Sequence, residues 1–398
     1  MGVSKVNRLK DLIHELCPNG VEYKKLADCC VLEKGSTPIQ KATPGEYPLV
    51  VTTEERRSCS TYQFDKPTVC VPLVSSRGHG VASINQIYYQ EGKFALGNIL
   101  CGVTPLDENY LSAKFLCHYL NHKKDTILVP LMRGGANVSL TVDILKSVQI
   151  PIPAIEIQRE IVRILDNFEN LERALKQELS IRKKQYAVYI SKCLEYAANS
   201  NQMQFGDILS FQNGFAFKSS KFRETGCAIL RITNIQDNRI DDSNLVYFDS
   251  ADYVEDLSSF VVEEDDLVIA MSGATTGKIG INRTGKNFYL NQRVGKLIPD
   301  KSLVSSKFLY YLLLSKSEEI YAISNGGAQP NLSSEKFKRI KVMIPSLDEQ
   351  QRIVTLLDNF DCLCNDDSSS IPAEIEARAK QYKYYRNKLL TFKELSVR

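Results

Sequence analysis

The chain says one thing twice. Residues 153–168 read PAIEIQREIVRILDNF and residues 345–360 read PSLDEQQRIVTLLDNF, so Pro345 repeats Pro153 at a displacement of 192 in a chain of 398. The string Leu165-Asp166-Asn167-Phe168 returns intact as Leu357-Asp358-Asn359-Phe360. Solenoids repeat every roughly 20–50 residues; so long a period instead marks two whole domains, each followed by its own long helix. The echo extends upstream. Gly134-Gly135-Ala136 answers Gly326-Gly327-Ala328, Leu140 answers Leu332, and Lys146 answers Lys338. Lys114-Phe115-Leu116 matches Lys307-Phe308-Leu309, one residue further out, and Phe94 to Asn98 matches Phe288 to Gln292. Near the domain starts, Leu26-Ala27-Asp28 and Gly35 match Phe205-Gly206-Asp207 and Gly214. Between these anchors the copies diverge. A kept scaffold with rewritten loops suits two similar binders with different targets, and two similar surfaces at a set separation suit a target with two half-sites.

Local patterns divide the chain into five parts. Residues 1–18 form an amphipathic helix, with Val6, Leu9, Ile13 and Leu16 on one face, stopped by Cys17-Pro18-Asn19-Gly20. Residues 19–152 are a mixed domain of short β-rich runs (47–51, 68–74, 82–89) with helices at 112–121 and 142–146. Residues 153–199 are one long helix, because 154–197 contains neither Gly nor Pro. Residues 200–344 repeat the mixed pattern, with strands at 229–233 and 267–271 and a helix at 307–314. Residues 345–398 are a second helical segment broken near 366–372, where Pro372 lacks an amide hydrogen and Ser370 is placed to cap a new helix.

The expected fold is therefore α+β: two similar mixed α/β domains separated by two long helical segments. An apolar stripe on a long helix needs a partner, and each segment is the other's obvious one. The expectation is an antiparallel coiled coil with pseudo-twofold symmetry. Its pairing residues are Ile161, Ile164, Phe168, Leu171, Leu175 and Tyr186 on the first segment, and Ile353, Leu356, Phe360, Leu363, Tyr382 and Leu389 on the second. B-DNA has local twofold axes, so such a chain can present both domains to one duplex. The plainer alternative is a dimerisation coiled coil carrying two unrelated binding domains.

Bulk properties exclude several classes. Net charge is only +3, so any nucleic-acid surface must concentrate its positive potential on one face. No apolar run reaches the roughly 20 residues of a membrane span. The eleven cysteines are scattered, with no C-x-x-C pair, and read as free thiols in a reducing cytoplasm. The four histidines form no ligand array; His118 and His122 read as a structural pair on one helix. Ser272-Gly273-Ala274-Thr275-Thr276-Gly277-Lys278-Ile279 looks like a phosphate loop but has three residues between its glycines and Ile after the lysine, where a Walker A has four and Ser or Thr. No Asn-Pro-Pro-aromatic methyltransferase motif occurs, and no nuclease carboxylate cluster is visible. No enzyme activity, cofactor or metal is expected.

The doubled Ile-Pro boundary and its Leu-Asp-Asn-Phe helix (152–168 and 344–360) resemble the specificity subunits of type I restriction-modification systems. So do the Gly-Gly-Ala elements, the segment from Ile371 to Phe392, and its looser echo from Arg182 to Leu194. The resemblance covers nearly the whole chain. It implies that 19–152 and 200–344 are target recognition domains, each reading one part of a bipartite double-stranded DNA site. It implies that the helices measure the spacer and dock two modification subunits, which carry S-adenosylmethionine and methylate adenine. Restriction subunits with translocase and nuclease activity would complete a cytoplasmic complex without membrane attachment. DNA contact needs phosphate neutralisers and base-edge readers. Candidates in the first domain are Arg56, Arg57, Ser75, Ser76, Arg77, His79, Arg133 and Asn137. In the second they are Lys218, Lys221, Arg231, Thr233, Asn234, Thr275, Thr276, Lys278, Asn291, Gln292, Arg293, Gln329 and Asn331. The plain reading of any one of them is a solvated surface residue. Two other classes stay open at this level: an adaptor with two protein-binding domains, and a self-contained nuclease.

Overall fold

Short β-branched runs between Gly and Pro breakers become strands, and the long Gly- and Pro-free stretch becomes one helix, as pattern and propensity dictate. The computed structural model describes residues 9, 11–77, 79–195, 200–324, 330–365 and 370–395. The chain divides into two compact units, Met1–Leu175 with Ile375–Arg398, and Lys176–Glu374.

The first unit runs β1 (Glu22–Lys25), α1 (Leu26–Cys29), β2 (Cys30–Lys34), β3 (Tyr47–Val50), β4 (Arg57–Cys59), β5 (Thr68–Pro72), β6 (Tyr88–Gln90), β7 (Ala95–Leu96), β8 (Leu100–Pro105), α2 (Ala113–Ile127), α3 (Val142–Lys146), β9 (Gln149–Ile152) and the first half of α4 (Ile155–Glu195). Its strands form sheets of order β2-β8-β5-β6, β4-β3-β7 and β1-β9. The second unit takes the rest of α4, then β10 (Asn201–Gln204), α5 (Phe205–Ile208), β11 (Leu209–Asn213), β12 (Cys227–Leu230), β13 (Ile235–Gln236), β14 (Arg239–Ile240), β15 (Val246–Phe248), β16 (Val261–Val262), β17 (Leu267–Ala270), β18 (Ile279–Ile281), β19 (Phe288–Leu290), β20 (Val294–Pro299), α6 (Ser306–Ser315), α7 (Ser317–Ser324), α8 (Ser334–Lys338), β21 (Lys341–Ile344) and α9 (Leu347–Asn365). Its sheets are β11-β20-β17-β18-β14-β13, β15-β12-β19-β16 and β10-β21. The last helix, α10 (Ile371–Leu389), returns to the first unit from Ile375 onward.

The strand order is the same twice, with β13, β14 and β16 added in the second unit. Even the single parallel pair of the small sheet recurs, as β3 with β7 and β12 with β19. The matched glycines now have a reason. A Cβ on Gly35 would lie 2.2 Å from the Gly97 carbonyl oxygen, and one on Gly214 would lie 2.1 Å from that of Asn291. Only glycine lets the chain cross there. The β13–β14 hairpin turns through Asp237 and Asn238 with φ of 47° and 62°, residue types that tolerate the left-handed region.

Each unit closes its core with the helix that follows it. Ile157, Ile161, Ile164 and Leu165 join Phe115 and Leu116 in the first cluster; Ile353, Val354 and Leu357 join Phe308 and Leu309 in the second. A fully buried glutamine latches each joint. Gln158 accepts from the Ser112 amide (2.9 Å) and donates to the Tyr110 and Pro153 carbonyls (2.9 and 2.8 Å). Gln350 accepts from Ser305 (3.0 Å) and donates to Leu303 and Pro345 (2.8 and 3.0 Å). These bonds satisfy every polar atom the glutamine buries except one lone pair.

Helix pairing occurs inside each unit. In the first, Phe168 of α4 stacks on Tyr385 of α10 at 5.6 Å, and the Tyr382 hydroxyl donates to Glu169 at 2.7 Å. In the second, Tyr189 of α4 stacks on Phe360 of α9 at 4.9 Å, and the Tyr186 hydroxyl donates to Asp361 at 3.4 Å. Rising numbers on one helix meet falling numbers on the other, so both pairs are antiparallel. At 41 residues, α4 is about 60 Å long. Ile161, Ile164, Ile353, Tyr186 and Leu389 are buried, and Leu175 is half-buried. Leu171 and Leu356 are corrections, at 40% and 44% exposure. The fully buried leucines are Leu165, six residues before Leu171, and Leu357, next to Leu356, because each helix also faces its own domain. The Leu363 side chain lies outside the described residues.

Two strand expectations also need correction. Residues 82–87 carry no strand; there the Asn121 side chain binds both the amide and the carbonyl of Ile87 (2.9 and 2.7 Å). The 229–233 run leaves its sheet after Leu230 and turns into a 3-10 segment, Ile232–Asn234.

The first unit carries a built-in acid sensitivity. Nε2 of His122 on α2 is buried with no hydrogen-bond partner among the described residues, and burial, then Lys123 and Arg386, hold its pKa down to about 4. An unfolded histidine titrates near ~6.5. Between those values the unfolded chain binds the extra proton, so stability falls as pH drops through that window. His122→Asn is expected to flatten the pH dependence of unfolding of this unit between about pH 6.5 and 4, followed by hydrogen exchange in β5 and β8. An unchanged slope would assign the effect to other groups.

Candidate nucleic-acid interface

In the first unit two loops interlock. Ser75 N–H donates to the Val138 carbonyl (2.9 Å), Gly80 N–H to Ala136 (3.3 Å), and Arg133 and Ser139 exchange both backbone bonds at 2.8 Å. Ser75 is a turn organiser: its hydroxyl accepts from the amides of Arg77 (3.2 Å) and Ser83 (3.1 Å) and donates to the Val81 carbonyl. Ser76 binds Asn85 at 2.9 Å. Gly134, at φ +135°, is required because a Cβ would meet the Asn137 carbonyl oxygen at 2.2 Å. These bonds hold Arg77, His79 and Asn137 outward, exposed and without side-chain partners among the described residues. Arg133 is exposed but donates to the carbonyls of Pro130 and Met132 (2.6 and 2.9 Å). Arg57 is exposed on β4. Arg56 is a structural residue: its Nε binds Gln90 at 3.0 Å and its guanidinium lies 5.0 Å from the Tyr88 ring centre.

In the second unit four segments are laced together. Asn291 N–H donates to Leu230, Met271 to Arg293, Gly273 to Pro330 and Leu332 to Met271, at 2.8–3.1 Å. The residues at 231–234, 271–278, 291–293 and 330–331 therefore share one end of the domain. Lys278, Gln292, Arg293, Asn331 and Thr233 are exposed there. Lys218 is exposed nearby in sequence to Phe215, which binds Leu290.

Other candidates are buried or engaged within the domain, and one lies outside the described residues. Asn234 is 1% exposed; its amide binds the carbonyls of Asp241 and Asn244 (3.1 Å each) and its oxygen accepts from the Arg231 amide, so it shapes the loop. Thr276, 3% exposed, bonds to the Gly273 and Pro330 carbonyls. The Thr275 hydroxyl is buried. Lys221 is half-buried over the Tyr253 ring at 4.4 Å, and Arg231 donates to the Asn244 carbonyl. Asn291 is half-buried in its turn. Gln329 lies outside the described residues.

Among the described residues, one set of ligand-type side chains could hold a metal: His118, Asp166 and Glu169, whose ligand atoms lie within 4.8 Å of one another. Their charges are already met. His118 Nε2 sits 2.9 Å from Asp166, Lys114 lies 3.8 Å from the same carboxylate, and Tyr382 donates to Glu169. The His118 ring, then Lys114, hold the Asp166 carboxyl below the usual carboxylate range against the opposing effect of burial. The matching position in the second unit is Tyr311, which makes the set a fastening between helices. Sequence reasoning missed this set because His118 lies 48 residues from Asp166. No helix among the described residues is long and apolar enough to cross a membrane.

Comparisons with known proteins agree with this doubled design. The family model for the type I restriction modification DNA specificity domain matches twice, at residues 18–180 and 198–377. The chain is 30% identical over 311 residues to the type I restriction enzyme EcoR124I/EcoR124II specificity subunit of Escherichia coli, covering 73% of each. Its fold is shared by the S subunit of a type I restriction-modification system from M. genitalium, with a TM-score of 0.59 at 18% identity over 93% of this chain and 95% of that one. It is shared too by a chain from a structure of the type I R-M system, with a TM-score of 0.60 at 13% identity, over 94% and 98%. Two units of one shared strand order, each with a laced loop cluster and a latched helix, and the doubled match to the family model place the chain in the type I restriction modification DNA specificity domain family, of which it carries two copies.

Proposed function

We propose that the loop cluster of each unit reads one half of a bipartite, asymmetric double-stranded DNA site. The chain is the non-catalytic address-reader of a cytoplasmic restriction-modification complex. Helices α4, α9 and α10 set the spacer and dock two modification subunits, and restriction subunits complete the assembly. One observation carries this reading: the same fold appears twice, and at one end of each copy glycine-shaped, hydrogen-bonded loops hold unpaired Arg, Lys, Asn or Gln side chains outward. Those side-chain types match base edges: Arg pairs bidentately with guanine, and Asn and Gln with adenine. The exposed readers are Arg57, Arg77, His79 and Asn137 in one unit and Thr233, Lys278, Gln292, Arg293 and Asn331 in the other.

The test is selection from a random duplex library by the full chain assembled with its modification subunits. A two-part motif with a fixed gap is expected. Arg293→Ala should relax base preference at one position of one half, by about 1–3 kcal/mol, and leave the other half alone. A protein adaptor would enrich no motif, and a single uninterrupted motif would also overturn the proposal.

A further inference from the structure

The polar fastening in the first unit has a counterpart in the second that reaches further. Lys114, His118, Asp166, Glu169 and Tyr382 correspond to Lys307, Tyr311, Asp358, Asp361 and Tyr186. In the second set Lys307 pairs with Asp358 at 3.1 Å, Tyr311 donates to Asp358 at 2.5 Å, and Tyr186 donates to Asp361. The difference lies in what the recognition domain sends to meet it. Arg239 of β14 reaches Asp361 Oδ2 at 2.9 Å, and Arg283, in the turn after β18, reaches the same oxygen at 2.8 Å. Asp361 is 1% exposed, whereas its first-unit counterpart Glu169 has a 42% exposed side chain and, among the described residues, no such arginine pair.

The strand that Asp361 grips is part of the recognition apparatus. Arg239 sits on the β13–β14 hairpin, which has no counterpart among the described residues of the first unit, directly after the segment carrying Arg231, Thr233 and Asn234. Asn234 ties that segment to Asp241 and Asn244 on the far side of the same hairpin. The Tyr310 hydroxyl, from α6, binds the turn at the Asn238 carbonyl (3.3 Å). Charge-assisted hydrogen bonds are the strong ones; here two guanidiniums from two segments each place one N–H on the same buried oxygen, and Arg283 also lies 3.7 Å from Asp358, which ties the hairpin to α9 at more than one point.

We infer that Asp361 is a positioning residue for DNA reading by the second domain. Through Arg239 and Arg283 it sets the 231–244 loop at one attitude to α9, without touching DNA. The inference rests on the reading of the chain as a bipartite DNA-binding subunit, and it makes the fidelity of the two halves unequal in origin.

The test uses the full chain in its complex with the modification subunits. Wild-type protein first selects a motif from a random duplex library; failure there sinks the function proposed above, and with it the ground for this one. Arg293→Ala then identifies the half read by the second domain. Asp361→Glu keeps the charge and moves the carboxylate by one methylene. It is expected to lose about ten-fold of discrimination against mismatches in that half, while discrimination in the other half and the salt dependence of cognate binding stay unchanged. Glu169→Gln should leave both halves intact. Arg283→Lys, which keeps the charge and loses the guanidinium that spans Asp361 and Asp358, should reproduce the effect if Asp361→Glu does not fold. Discrimination that is unchanged, that falls equally in both halves, or that survives a uniform loss of affinity would overturn the inference.

Discussion

Asp361→Ala is expected to destabilise the second unit by about 3–5 kcal/mol, the range for removing one partner of a buried ion pair. The carboxylate is 1% exposed and takes hydrogen bonds from Arg239, Arg283 and Tyr186. Its removal strands the Arg239 guanidinium and leaves Arg283 only Asp358, at 3.7 Å, and the two side chains are only 26% and 23% exposed. The loss is therefore mostly the penalty of uncompensated charge rather than the worth of the attraction. The chain has no tryptophan, so amide hydrogen exchange in β17 and β20 is the natural probe. Arg352→Ala supplies the contrast: its pair with Glu349 holds an 81% exposed arginine, and its loss should move stability by no more than about 0.5 kcal/mol. A loss below about 1 kcal/mol for Asp361→Ala would mean that desolvation already cancels the pairing.

Phe337→Ala should cost the same unit about 3–5 kcal/mol through the cavity it leaves. The ring is fully buried, stacked on Phe205 at 4.9 Å with 7° between planes, and meets Phe211 edge-on at 6.2 Å. It anchors α8, the short helix that follows the Asn331 segment, and that segment is sewn to the domain through Leu332 and Met271. The substitution should thus raise exchange first at 330–338 and lower the thermal midpoint of the unit. Leu356→Ala, at an exposed position of α9, should shift stability by about 0.5 kcal/mol or less. Equal effects from the two would contradict the packing described for α9.

Much of this architecture was legible because duplication marks what a fold needs. Gly35 and Gly214 recur because backbone crosses backbone there, and Gln158 and Gln350 recur because each joint buries the same polar groups. The candidate surface was less legible. A polar residue among glycines is the signature of a reading loop and also of a buried turn; Asn234 and Thr276 proved to be the second kind, Arg293 and Lys278 stand free. Three-four spacing likewise does not separate neighbouring stripes: it selects Leu356, 44% exposed, although Leu357 beside it is fully buried. The grip of Asp361 on Arg239 and Arg283 joins residues 122 and 78 positions apart, and no local pattern announces it.

The return of α10 to the first unit has a consequence for how the protein is made. Leu389 and Leu390 are core residues of that unit, and Phe392 packs on Phe115, yet they leave the ribosome some two hundred residues after the rest. The second unit is one uninterrupted stretch, Lys176–Glu374, and can close as soon as it emerges. The later unit thus has all its residues before the earlier one, whose core still lacks Leu389 and Leu390 until α10 is made.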